Sequence, residues 1–326
     1  MKTTVAGSYP KIGDLIEEQK LRHVLHQFDR HEISEEALQA VQEEVIREAI
    51  QEQINAGIDL VTDGLIRWDD ALTYQAGKIL GFKITGLTRY FDTNTFYRKP
   101  VVVSRLECRK PFLANDYQFA ASVSSKPVKA VITGPYTLAK LSKNEFYRDL
   151  AQLVYDLAHI VHLEAKALED AGCSVIQFNE PAILNHPEDW KLFARAYEMV
   201  TVELSKAEKI LFLNFGTLEK VYPKVMEINV NTVGCELTKG HANWAILKSV
   251  PLKRKLMAGV IDARNTKMET EEELSNMIRE LSEIISLDQV LLAPNHSLEF
   301  LPRSVARKKL SLLAKAARQS QEAKVS

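Results

Sequence analysis

Short apolar runs recur along the chain, and each is closed by a polar or glycine-containing cluster. The run at Thr3–Ala6 ends in Gly7-Ser8-Tyr9-Pro10, and Ile58–Thr62 ends in Asp63-Gly64. Val128–Ile132 stops at Thr133-Gly134-Pro135, Val175–Phe178 at Asn179-Glu180-Pro181, and Ile210–Leu213 at Asn214-Phe215-Gly216. Thr232–Cys235 closes at Glu236, Leu256–Ile261 at Asp262, and Val290–Ala293 at Pro294-Asn295-His296. Short apolar runs with such stops read as buried strands. Between them the apolar period lengthens to that of helices. It does so over about 14–55, 146–170, 190–206, 218–227 and 271–285, near Trp244, and onward from Pro302. Ser34 marks a helix start, because its hydroxyl can cap free amides.

Eight strands, most of them followed by a helix, predict a (β/α)8 TIM barrel rather than a doubly wound sheet. Residues from about 65 to 127 break the rhythm. They hold a candidate strand pair, Phe82–Ile84 and Val101–Leu106, and aromatic loop residues Tyr90, Phe91, Phe96 and Tyr97. Little linker composition flanks them, so they predict an insertion after the second strand, within one domain spanning residues 1–326.

Composition narrows the function classes. Apolar residues make up 46% and charged residues 26%, with a net charge of −1, so nothing points to nucleic acid or an anionic membrane as partner. No apolar run reaches the ~20 residues that cross a bilayer. The N-terminus MKTTVAGSYP lacks a charged-then-apolar leader. A cytoplasmic protein with a small-molecule substrate is expected. Cys108, Cys173 and Cys235 form no CxxC and read as free buried thiols.

In a barrel the strand ends converge on one mouth, where chemistry sits. The candidates are Ser8, Asp63, Asn179, Glu180, Asn214, Glu236, Asp262 and His296. Strand alternation puts Glu236 on the face of Gly234 and Asn214 on that of Phe212; Cys235 points the opposite way. Glu236 and His296 can approach each other at the barrel axis. They read as a hydrogen-bonded pair, as two ligands of a divalent metal that needs a third, or as a general acid/base pair, with Asp262 as a further catalytic candidate. Asn179-Glu180-Pro181 reads either as a substrate-binding pair or as a turn capping the next helix. The Gly7-Ser8 and Gly134-Pro135 turns have backbone amides that can face a carboxylate. No GxGxxG, Walker loop or HExxH is present.

Seven stretches taken together resemble cobalamin-independent methionine synthase, in its short single-barrel form. They are AGSYP (6–10), VTDG (61–64), Lys99-Pro100-Val101, ITGPYTLAKLS (132–142), IQFNEPA (176–182), GVIDARNT (259–266) and LPRSVARKKL (301–310). The resemblance implies a barrel in which zinc activates a homocysteine thiolate as methyl acceptor. It also implies a corrinoid, brought by a partner protein, as methyl donor. The family's zinc is held by His-x-Cys, Glu and Cys. Those positions here read Asn214-Phe215-Gly216, Glu236 and His296. Leu65 and Asn179 stand where the family has acidic contacts to the ammonium of homocysteine. Losing two such contacts removes roughly 1.5–3 kcal/mol each. Ser8 keeps the carboxylate-binding turn.

Three readings follow. The first is methyl or alkyl transfer involving a small carboxylate-bearing substrate. Here Glu236, His296 and Asp262 are catalytic, and Ser8, Asp63, Asn179, Glu180 and Asn214 hold substrate. The second is lyase or acid/base chemistry in the same barrel. The third is a non-catalytic paralogue that binds a small molecule or a protein.

Overall fold

The computed structural model describes residues 1–322. They fall into two compact units. One comprises Met1–Arg67, Phe119–Val128 and the chain from Ala258 onward; the other comprises Trp68–Gln118 and Lys129–Met257.

In the first unit the Lys2–Thr3 strand pairs in parallel with Val290–Pro294, with Lys2 opposite Leu291 and Thr3 opposite Leu292. The end of the Lys255–Ile261 strand lies on the other side of Val290–Pro294. The predicted strand at 58–62 is held by isolated bridges instead, Thr4 to Leu60 and Val61 to Val128. Side chains complete its pairing. The Gln53 amide accepts from the Thr62 N–H and donates to the Thr62 and Ala49 carbonyls, all at 3.0 Å. The Thr4 hydroxyl donates to the Leu60 carbonyl at 2.7 Å.

Helix Glu35–Asn55 starts at Ser34, whose Oγ accepts from the Ala37 N–H as its sequence predicts. It buries Val45, Ile46, Ala49 and Ile50. Helix Arg303–Glu322 buries Ala306, Leu310, Leu313 and Ala317 on a repeating face. Charge joins these two helices. Glu52 accepts from the Tyr9 hydroxyl (2.8 Å), from Arg303 (3.0 and 3.2 Å) and from Arg307 (3.2 Å). Asp14 caps the second helix by accepting from the N–H groups of Arg303 and Ser304.

In the second unit the strands Ala130–Thr133, Val175–Asn179, Glu208–Leu213 and Thr232–Glu236 pair in parallel in that order. Lys255–Ile261 begins beside the last of them, where the Lys255 N–H donates to the Asn231 carbonyl. Register places Thr133 opposite Asn179, Asn179 opposite Phe212, and Phe212 opposite Gly234. A Cβ at Gly234 would stand 2.8 Å from the Phe212 ring, so the missing side chain makes room for that ring. The strand pair expected near 82–84 and 101–106 is a longer antiparallel hairpin, Leu80–Arg89 with Phe96–Glu107.

Three local expectations change. Helix Leu150–Asp170 begins only after Asp149, whose carboxylate accepts from the Gln152 N–H and sets the start. The helix expected at 218–227 is only a 3-10 turn, Lys224–Glu227, because Pro223 lacks the N–H that a continuous helix needs. Gly134-Pro135, read as a turn, opens a helix, Pro135–Leu141, with proline at its first position. Cys173 and Cys235 are buried free thiols, whereas Cys108 is only half-buried. Among the described residues no helix is long and apolar enough to cross a membrane.

Replacing Gln53 by Leu keeps volume but strands the buried N–H and C=O of Thr62. Urea unfolding is expected to register a loss of about 2–4 kcal/mol.

Candidate functional site

The strand ends of the second unit carry Asn179, Glu180, Asn214 and Glu236, and Glu180 is the best anchored of them. It is fully buried. Its two carboxylate oxygens accept from the N–H of Tyr136 at 3.0 Å and of Thr137 at 2.7 Å, at the N-terminus of helix Pro135–Leu141. Glu180 thus caps a helix, though not as a turn that caps the next one. The capped helix is the one after the neighbouring strand, not the one that follows Glu180. The amides that face a carboxylate are those of Tyr136 and Thr137, just after the Gly134-Pro135 turn, and that carboxylate is Glu180's own, while the Gly134 N–H donates to the Asn179 carbonyl. A Cβ on Gly134 would lie 2.2 Å from Glu180 Oε1. Burial pushes the Glu180 carboxyl up to about 7, opposed by the hydrogen bonds it accepts.

Asn179 is half-exposed at its strand end, and its Oδ1 accepts from Gln177 Nε2 at 2.7 Å. Gln177 Oε1 in turn accepts from Lys129 Nζ at 2.6 Å. Lys129 and Gln177 are buried, and burial lowers the lysine to about 7. Sequence reading missed both. The signal available was a lysine and a glutamine inside otherwise apolar strands.

Glu236 is buried and accepts from the Phe215 N–H at 2.6 Å. Phe215 adopts a positive φ of 63°, a costly conformation for a bulky residue. Aromatic packing holds it there. The Phe215 ring stacks on Phe91 (5.1 Å, 11° between planes) and meets Tyr90 edge-on (5.4 Å, 89°). The aromatic turn of the hairpin therefore rests on the loop that Glu236 fixes. Asn214 is buried beside it in sequence. Cys235 is buried too, and burial pushes its thiol well above the usual range.

In the first unit the ends carry Ser8, Asp63, Asp262 and His296. The AGSYP and VTDG turns are laced together: the Thr62 hydroxyl donates to the Gly7 carbonyl and the Tyr9 N–H to the Gly64 carbonyl, both at 2.9 Å. Ser8 is buried, and its carbonyl accepts from the Leu298 N–H. Asp63 Oδ1 accepts from the Leu65 N–H at 3.0 Å, holding Leu65 at a positive φ of 49°. Asp262 Oδ1 accepts from the Arg264 N–H, while its own N–H donates to Glu269, which Lys309 also grips at 2.9 Å. His296 is fully buried with its ring edge-on to Phe300. It follows Asn295, whose side chain accepts from the Ala263 N–H.

Residues 1–319 match the family described as cobalamin-independent synthase, catalytic domain. The chain belongs to this family. It is 36% identical over 312 residues to a methionine synthase of Saccharolobus solfataricus, covering 95% of this chain and 92% of that one. To a methionine synthase of Sulfurisphaera tokodaii it is 33% identical over 318 residues, covering 97% and 91%. A B12-independent methionine synthase from Shewanella sp. W3-18-1, solved in complex with selenomethionine, superposes with a TM-score of 0.85 at 23% identity over 99% and 98% of the two chains. The fold is that TIM-barrel-like one, and the chain is a methyltransferase-like enzyme of the cobalamin-independent methionine synthase family.

The family is zinc-dependent in general. Catalytic zinc sites take three protein ligands beside an open position. Glu236 already spends a carboxylate oxygen on the Phe215 N–H. Among the described residues no group of three or more His, Cys, Asp or Glu side chains is placed to hold a metal ion.

Gly134→Ala must push the Glu180 carboxylate off the helix end. Thermal unfolding is expected to show a loss of about 2–5 kcal/mol. The pH dependence has a definite sign. The Glu180 carboxyl titrates near 7 when folded and near 4.5 when unfolded, so the folded state holds the extra proton between those values. Its contribution to stability is greatest below about 4.5 and falls as pH rises towards 7. Glu180→Gln is expected to flatten that slope, a change on the order of 3 kcal/mol across the window in paired denaturation curves.

Proposed function

We propose that the protein catalyses methyl or alkyl transfer involving a small carboxylate-bearing substrate, without the zinc-bound thiolate used by its family. In this reading the polar residues at the strand ends carry substrate binding and chemistry. The observation that carries it is the environment of Glu236. The carboxylate persists at its strand end, but it anchors the Asn214-Phe215-Gly216 loop where the resembled family has His-x-Cys. Family membership supports group transfer, and the ligand losses argue against ordinary methionine synthesis. Ser8 lies in the turn that resembles the family's carboxylate-binding loop. Asp63, Asn179 and Asn214 complete the substrate contacts. Glu180 holds the wall behind them.

His296 and Glu236 serve in this reading as acid/base residues: one of them takes the proton from the acceptor as the acceptor–alkyl bond forms and the donor–alkyl bond breaks, its electron pair staying on the donor. Asp262 is the third catalytic residue of this set. A corrinoid carried by a separate protein is the donor class that the resemblance implies.

The test uses purified enzyme with methylcobalamin as donor and methylthio-acid precursors, homocysteine among them, as acceptors. His296→Ala is expected to lower turnover by about a hundredfold or more, the usual worth of a positioned acid/base. Chelation is expected to leave wild-type turnover unchanged. Stoichiometric zinc, with turnover lost on chelation, would overturn the reading. Solvent-proton exchange into the acceptor without alkyl transfer would favour lyase or acid/base chemistry instead.

A further inference from the structure

The chain from Lys129 through Gln177 to Asn179 has a direction. Lys129, Val131 and Thr133 share one face with Gln177 and Asn179, because Val131 pairs with Gln177 and Thr133 with Asn179. Lys129 is 1% exposed and Gln177 0%, whereas Asn179 is half-exposed. The line therefore runs from the buried start of the strand to its accessible end. Amide orientation is usually a free choice, since oxygen and nitrogen look alike. Here it is not free. An ammonium group only donates. While Lys129 is protonated, Gln177 must turn Oε1 to Lys129 Nζ, which it meets at 2.6 Å. Its Nε2 then points along the strand and donates to Asn179 Oδ1 at 2.7 Å. With Oδ1 engaged, the group that Asn179 offers at the strand end is Nδ2, which carries two N–H donors and no lone pair to accept with.

We propose that Lys129, acting through Gln177, fixes Asn179 as a hydrogen-bond donor at the strand end, so that this position selects an acceptor on the ligand, a carboxylate or carbonyl oxygen, and rejects an ammonium group. The ligand class rests on the reading of the mouth as a substrate site. In the resembled family an acidic residue stands at this position. A carboxylate there keeps one oxygen for the glutamine and turns a second acceptor outward, which suits an ammonium. Exchange of one oxygen for NH2 reverses what the position recognises. Lys129 and Gln177 are positioning residues: neither needs to touch the ligand.

Two measurements at pH 6 test this, a pH at which Lys129 is mostly charged. The first needs no ligand. Side-chain amide exchange followed by nitrogen-15 NMR, with Asn179→Asp and Gln177→Leu used to assign the signals, should find the Gln177 Nε2 protons protected and the Asn179 Nδ2 protons exchanging faster. The opposite order overturns the polarity. The second compares binding of three calorimetric probes: methionine, 4-methylthiobutanoate, which lacks the ammonium, and 3-methylthiopropylamine, which lacks the carboxylate. Wild type should bind the ammonium-free acid at least as tightly as methionine and the amine most weakly. Asn179→Asp should shift the acid-to-amine ratio towards the amine by about tenfold or more. Gln177→Glu should shift it the same way, because a carboxylate there accepts from Asn179 Nδ2 and turns Oδ1 outward. Lys129→Met should shrink the ratio severalfold with far-ultraviolet circular dichroism unchanged. If Lys129→Met does not fold, the two amide variants decide. A ratio unmoved by Asn179→Asp and Gln177→Glu overturns the proposal. Failure of all three probes to bind wild type overturns the ligand class and the methyl-transfer substrate reading together, while amide exchange still decides the polarity.

Discussion

A buried carboxylate needs hydrogen-bond donors, and in the second unit those donors are backbone amides. Glu180 is the central case. Its two oxygens satisfy N–H groups that begin helix Pro135–Leu141 and that have no partner within the helix. This bond ties the end of one strand to the helix that leaves the next, and so fixes the wall on which Asn179 sits. The pattern repeats. Glu164 holds the amides of Phe112 and Leu113, Glu169 those of Lys206 and Ala207, and Glu236 that of Phe215. Each locks a loop onto a strand or helix that is otherwise remote in sequence. Desolvation raises the Glu164 and Glu180 carboxyls, while the amides they bind pull the other way.

The alternation of strand and helix was legible because it rests on apolar periodicity, which each segment carries by itself. Val175–Asn179, Glu208–Leu213 and Thr232–Glu236 fall where that pattern places them. The misses have physical causes that periodicity does not encode. The segment at 58–62 has a strand's pattern, but the Gln53 side chain supplies much of its pairing. Helix Pro135–Leu141 was hidden because its cap comes from Glu180, forty-four residues away from Tyr136. The turn at 224–227 is short because Pro223 interrupts an otherwise helical pattern.

Site residues were legible as positions more than as roles. Strand-end polar clusters located Asn179, Glu180, Glu236 and Asp262, yet Glu180 and Asp262 spend carboxylate oxygens on neighbouring backbone. The motifs that carry the family resemblance are largely structural in the same sense. Tyr9 of AGSYP and Arg303 and Arg307 of LPRSVARKKL all converge on Glu52, a helix residue that no motif singles out. The Lys129–Gln177 pair escaped notice for the opposite reason: two isolated polar residues inside apolar strands acquire meaning only when the register sets them side by side.

The 2.2 Å between Glu180 Oε1 and a Cβ at Gly134 also has a historical consequence. It makes the two positions one unit of inheritance. While Glu180 stands, any amino acid other than glycine at position 134 displaces its carboxylate, since each brings at least that carbon. A lineage that changes either position passes through an intermediate in which this helix has lost its cap. Descent is therefore constrained to change the two positions together or to bear the cost between them.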